Sequence, residues 1–141
     1  MLTAQNSVII KRPVARVFEF VSDGESAPKW RKGVVYIKKE SGEHFGAVYR
    51  QRVKGPGGRH VKADYVVTAY VPGRQLAFRA IAGPVRPEGE FKFEPEGDGT
   101  RLTFALKAEV NGMQRLLAPL VRKTMQAEVK AIERIEALIQ S

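Results

Sequence analysis

Two polar side chains fall where the C-terminal periodicity leaves room for apolar ones. At about 100° per residue, Thr124 and Glu128 lie inside a stripe formed with Leu120, Val121, Ile132 and Ile135. A carboxylate aimed at a core must be paired, hydrogen-bonded or protonated, because unpaired burial is costly. Glu128 is therefore a candidate polar anchor, or a general acid/base tuned by its burial. The same placement is met by a structural ion pair with a sheet lysine or arginine, or by a side chain snorkelling out at an edge.

Aromatic residues form the second group. Trp30, Tyr49, Tyr65, Phe78, Phe91 and Phe104 would line an apolar pocket with occasional hydroxyls, joined from the helix by Thr124, Met125 and Glu128. Aromatics at strand spacing also serve as plain core, and Phe18 and Phe20 are assigned to packing. Trp30 doubles as a corner residue. Histidine offers no metal chemistry: His44 falls in a turn, His60 after a glycine-rich hairpin, and neither has a second ligand at a metal spacing. With no cysteine, thiolate sites and disulfides are excluded. Gly55-Pro56-Gly57-Gly58 lacks the Lys-Ser/Thr and helix start of a phosphate loop, and no G-x-S-x-G elbow occurs. No cofactor is implied.

These residues need elements to position them. Residues 2–11 end in Ser7–Ile10, a short β-rich stretch that reads as a first strand, and Pro13 then suits a first helical residue. Val14, Val17, Phe18 and Val21 follow at i, i+3, i+4 and i+7, a short helix closed by Ser22-Asp23-Gly24. A second helical turn covers Ser26 to Trp30. From Gly33 to Val110, strands are separated by Pro56-Gly57-Gly58, Pro72-Gly73, Gly83-Pro84 and Gly97-Asp98-Gly99, the breakers of a hairpin meander. Leu102, Phe104, Leu106 and Ala108 alternate with Arg101, Thr103 and Lys107, while Tyr49, Gln51 and Val53 oppose Arg50, Arg52 and Lys54, so one sheet face is buried. Asn111 and Gln114 resemble a capping box. Met113, Leu117, Leu120, Val121, Met125, Ile132, Ile135 and Ile139 then share one helix face, with Pro119 either kinking the helix or marking its first turn.

At 141 residues one domain, 1–141, is expected, large enough for a core without staples. The opening MLTAQNSVIIKRP lacks the pattern of a signal peptide, and no window reaches the roughly 20 apolar residues of a membrane span, so a cytoplasmic location is expected. The net charge of +9 favours anionic partners. Its cations are spread without a run of four, so specific nucleic-acid binding is not expected, and transient contact with an anionic membrane fits the outer helix face.

The order of elements, with particular residues, resembles the START/birch-pollen-allergen superfamily (SRPBCC) in its bacterial polyketide-cyclase/dehydrase-like branch. Residues 7–23 with Pro28-Lys29-Trp30 look like the family's opening strand, Pro-started helix and corner; Pro72–Phe78, Phe91–Pro95 and Gly99–Thr103 look like its hairpins. The fold expected is α+β helix-grip: a curved antiparallel sheet of about seven strands around a long C-terminal helix, with two short helices between strands 1 and 2. The resemblance implies a cavity for lipids, quinones or polyketide-like molecules, and carries over no catalytic residue. A carrier or sensor of a small apolar or amphipathic ligand is the first expectation. A cyclase or dehydratase using Glu128, with a tyrosine such as Tyr65, is the alternative, and a basic module binding RNA or acidic protein the third. Oligomeric state, monomer or homodimer, is left open.

Overall fold

Period-two alternation puts one face of most strands into the core. The computed structural model describes residues 1–139, and of Pro56 only the backbone. Its strands are β1 (Leu2–Ile10), β2 (Val34–Ser41), β3 (Val48–Lys54), β4 (His60–Lys62), β5 (Tyr65–Val71), β6 (Gln75–Ala80), β7 (Glu88–Glu96) and β8 (Gly99–Ala108). They form one antiparallel sheet in the order β1-β8-β7-β6-β5-β3-β2, with β4 paired to β3. The count exceeds the expected seven by β4, whose three residues are too few to show an alternation. The breakers fall between strands as expected, except Gly99, which opens β8. β1 starts five residues before Ser7 because β8 pairs with it continuously from Leu2–Ala108 to Ile10–Thr100. Cross-strand partners decide strand length here, over weak local propensity.

Two short helices link β1 to β2. The first, α1 (Val14–Ser22), has Pro13 as its N-cap rather than its first helical residue, and buries Val17, Phe18 and Val21. Phe18 meets Tyr70 and Phe93 edge-on, with ring centroids 5.2 and 5.0 Å away. The second is a 3-10 turn over Gly24–Lys29, capped by the Asp23 side chain, which accepts from the Glu25 N–H at 3.1 Å.

The C-terminal helix, α2 (Ala118–Lys130), continues through 3-10 turns at Ala131–Arg134 and Glu136–Leu138. Pro119 lies in its first turn, the second of the two sequence alternatives. Val121, Met125, Val129, Ile132, Ile135 and Ile139 are buried against the sheet. Three expected members of this face are not: Met113 is 84 % exposed, Leu117 46 % and Leu120 46 %. Gly112–Leu117 is a separate 3-10 turn, whose three residues per turn put it out of phase with an α-helical stripe. The capping box also fails, since Asn111 makes no side-chain cap and the Gln114 amide donates instead to the Pro84 carbonyl. α2 is tied to β1 by the Asn6 amide, which donates to the Val129 carbonyl and the Glu133 carboxylate at 3.2 Å each. Among the described residues no helix is long and apolar enough to cross a membrane.

Candidate functional site

Sheet and helix enclose two adjoining chambers. The inner one, about 60 Å³, is bounded by Trp30, Tyr49, Leu76 and Phe91. The outer one, about 160 Å³, is bounded by Val61, Val121, Thr124, Met125 and Glu128, with Pro84 and Val85 on its lip. Arg31, Gln51, Tyr65, Phe78 and Phe104 border both. Thus all nine side chains proposed from sequence adjoin one space: Trp30, Tyr49 and Phe91 the inner part, Thr124, Met125 and Glu128 the outer, and Tyr65, Phe78 and Phe104 the wall between.

The polar centre of that wall is an ion pair. Arg31 donates through Nε to Glu128 Oε2 at 2.8 Å and through Nη2 to Oε1 at 3.4 Å, with the two side chains 17 and 19 % exposed. Its Nη1 donates to Gln51 Oε1 at 2.9 Å, and Gln51 Nε2 donates to the Ala63 carbonyl at 3.0 Å. Burial works against the guanidinium charge, but the Glu128 carboxylate outweighs it and holds the Arg31 pKa above its ordinary value. Glu128 is therefore paired not with a sheet cation but with the corner after the 3-10 turn, where the Arg31 N–H donates to Ala27 O at 2.7 Å. Sequence reasoning passed over Arg31. It sits in no periodic segment, and its neighbour Trp30 was the only visible cue.

Tyr65 is the second polar feature. Burial pushes its phenol far above the usual tyrosine range, partly opposed by Arg31. The Tyr49 ring stacks on it at 5.0 Å, and burial raises the Tyr49 phenol too, moderated by the Gly24 N–H donated to it. Gly24 makes this approach feasible, since a Cβ there would stand 2.6 Å from the Tyr65 hydroxyl and 2.6 Å from the Tyr49 ring. Gly89 does the same for Phe78, whose ring occupies the space a β-carbon would need. Phe91 and Phe104 stack at 4.0 Å behind it.

The remaining candidates are simpler. The Thr124 hydroxyl donates to the Leu120 carbonyl at 3.1 Å, a back-bond within the helix that engages its proton away from any ligand. The Trp30 indole N–H is buried without a hydrogen-bond partner among the described residues. His44 stacks on Tyr70 at 4.3 Å, His60 lies on β4, and neither borders the chambers. Among the described residues no cluster of histidine and acidic side chains could hold a metal.

Comparison with solved structures places this architecture. A protein from Thermus thermophilus superposes with a TM-score of 0.78 at 22 % identity, covering 96 % of this chain and 98 % of that one. A START superfamily protein from Mycobacterium smegmatis gives 0.75 at 20 % identity, covering 96 and 98 %. The Zhui aromatase/cyclase from Streptomyces sp. R1128 gives 0.73 at 16 % identity, covering 96 and 96 %. At these identities the likeness is one of fold, and it is the helix-grip fold. No protein of curated function matched the chain. The family described as polyketide cyclase/dehydrase and lipid transport matches residues 1–138. With the fold, the enclosed space and that match in agreement, the chain belongs to the polyketide cyclase/dehydrase and lipid transport family.

Proposed function

We propose that the protein holds a small amphipathic molecule in the space between sheet and α2, as a carrier or sensor. The observation carrying this reading is the pair of adjoining chambers, walled by aromatics and aliphatics, with one polar centre at Arg31 and Tyr65 where they meet. Pockets for drug-sized ligands start at roughly 300 Å³, and the two chambers together fall short of that. The fitting ligand is thus small, of one ring or a short chain, unless the wall between the chambers opens. It should carry an oxygen acceptor. The Arg31 guanidinium, the Tyr65 hydroxyl and the unpartnered Trp30 N–H all donate hydrogen bonds, whereas the Glu128 carboxylate is engaged by Arg31.

Glu128 serves in this reading as the anchor of Arg31, and Glu128→Gln keeps ligand uptake. A catalytic reading, of the aromatase/cyclase kind, is favoured by one observation. The Tyr65 hydroxyl, unlike its sheet-paired backbone, makes no side-chain hydrogen bond among the described residues while burial keeps its proton on, so it can present that proton to a ligand oxygen. The test is to purify the protein from its own host, denature it, and identify released small molecules by mass spectrometry. A stoichiometric oxygenated apolar compound supports the binding reading. An empty protein that takes up none of a panel of short fatty acids, quinones and aromatic ketones ends it.

A further inference from the structure

The apolar side chains that leave the core at the start of the C-terminal helix do not scatter. Met113, Leu116, Leu117 and Leu120 are exposed together on Gly112–Leu117 and the first turn of α2. This segment adjoins the lip of the outer chamber. Gln114 donates to the Pro84 carbonyl, while Val121 and Thr124, directly after it, line the chamber with Pro84, Val85, Lys54 and Lys62.

Charge gathers at the same place. The three segments forming the lip, residues 53–63, 80–87 and 110–127, contain Lys54, Arg59, Lys62, Arg86, Arg115, Arg122 and Lys123 and no aspartate or glutamate. They hold seven of the chain's nine net positive charges. All seven are exposed and none forms an ion pair among the described residues. The acids flanking these segments are engaged elsewhere: Asp64 with the Gln51 N–H, Glu88 with Lys107, Glu109 with the terminal amine and Glu128 with Arg31.

We propose that this lip is a docking surface for an anionic phospholipid membrane, with Met113, Leu116, Leu117 and Leu120 entering the acyl boundary and the surrounding cations meeting the phosphates. Exposed aliphatic side chains on segments that carry unpaired Lys and Arg and no acid are the pattern of an interfacial segment. Nucleic acid would instead be met by exposed aromatics and free hydrogen-bonding side chains among the cations, and the patch centre offers no aromatic and only Gln114, whose amide is engaged by the Pro84 carbonyl. The inference does not rest on what the chambers hold, because vesicle binding is measured without any ligand.

The test is co-sedimentation with vesicles of phosphatidylcholine alone and with about 30 % phosphatidylglycerol added, at low and physiological salt. Binding is expected to the anionic vesicles only, and to weaken with salt. At about fivefold for each cation near an anionic surface, Arg115→Ala/Arg122→Ala/Lys123→Ala should weaken it on the order of a hundredfold. Met113→Ser/Leu116→Ser should weaken it at least about tenfold through lost apolar burial, and Lys38→Ala, on β2, should leave it unchanged. The altered side chains are exposed, so the folded state survives these changes. Equal binding to both vesicle types, or insensitivity to both lip variants, overturns the proposal. So does salt-resistant capture of an oligonucleotide, or a dimer that Leu116→Ser dissociates.

Discussion

Replacing Glu128 by leucine leaves the Arg31 guanidinium beside an apolar wall with only Gln51 to receive a hydrogen bond. Removing one partner of a buried pair costs about 3–5 kcal/mol, because the survivor is an uncompensated charge. With both side chains still about a fifth exposed, solvent screening lowers that range to about 2–4 kcal/mol. Arg31→Met should cost a similar amount, since it strands the Glu128 carboxylate and the Gln51 Oε1 together. The double variant Arg31→Met/Glu128→Leu removes both charges and leaves only the Gln51 oxygen unpaired, a penalty of about 1–2 kcal/mol. The coupling energy should therefore reach about 2 kcal/mol or more. Urea unfolding followed by circular dichroism reads this directly: each single variant lowers the midpoint by roughly 1–2 M, and the double variant recovers part of the loss. Additive costs, with the double variant the least stable of the three, would refute the view that the two charges answer one another.

Other outcomes follow from the same geometry. Gly24→Ala should cost about 1–3 kcal/mol by driving a methyl into the tyrosine pair, whereas Gly33→Ala, whose Cβ would sit 3.7 Å from Glu128, should change stability by less than about 1 kcal/mol; equal thermal shifts would contradict the packing described. Because the folded state keeps the Tyr65 proton, the unfolded chain ionises first, and this group should leave stability unaffected below pH of about 10 and lower it above by up to about 1.4 kcal/mol per pH unit. Tyr65→Phe should remove the larger share of that slope, measured by urea unfolding at successive alkaline pH values; an unchanged slope counts against a buried phenol. Trp30 is the only tryptophan and borders the inner chamber, so a ligand seated there should change its fluorescence saturably, with Phe91→Trp/Trp30→Phe preserving the response. A ligand that binds with no change in emission would place its site elsewhere.

Legibility in the sequence tracked how local the physics was. The helices before β2 and the hairpin breakers could be read because apolar spacing and turn chemistry act over a few residues. β4 and the first half of β1 could not, since each is held by a neighbour in the sheet: β4 pairs three residues with Arg52–Lys54, and Leu2–Asn6 pair with residues 104–108 of β8. The C-terminal stripe failed at Met113 and Leu117 for another reason, while Leu120, one residue before buried Val121 within α2, is left half-exposed at the edge of the buried face. Periodicity assumes one continuous α-helix, and the 3-10 turn over Gly112–Leu117 breaks the phase before Pro119 starts it again. The exposed leucines were thus visible as residues and misplaced as geometry.

The polar centre shows the same boundary from the side of chemistry. Glu128 was conspicuous because a carboxylate broke a pattern, yet its partner left no trace, as an arginine beside a tryptophan in a corner breaks nothing. What joins them is the fold: the 3-10 turn that Asp23 caps delivers Arg31 from one side, α2 delivers Glu128 from the other, and Gln51 on β3 fixes the guanidinium from the sheet. One residue from each of three elements therefore meets in the wall between the chambers. Breaking that meeting point would do more than remove an anchor. It would free Arg31 to turn toward a ligand oxygen and merge the two chambers into a larger one, so a ligand carrying its own carboxylate could displace Glu128 and fill both. Such a ligand should bind more tightly than its ester or amide at neutral pH, and Arg31→Met should abolish the difference. A preference for the uncharged ligand would assign the pair a purely structural role.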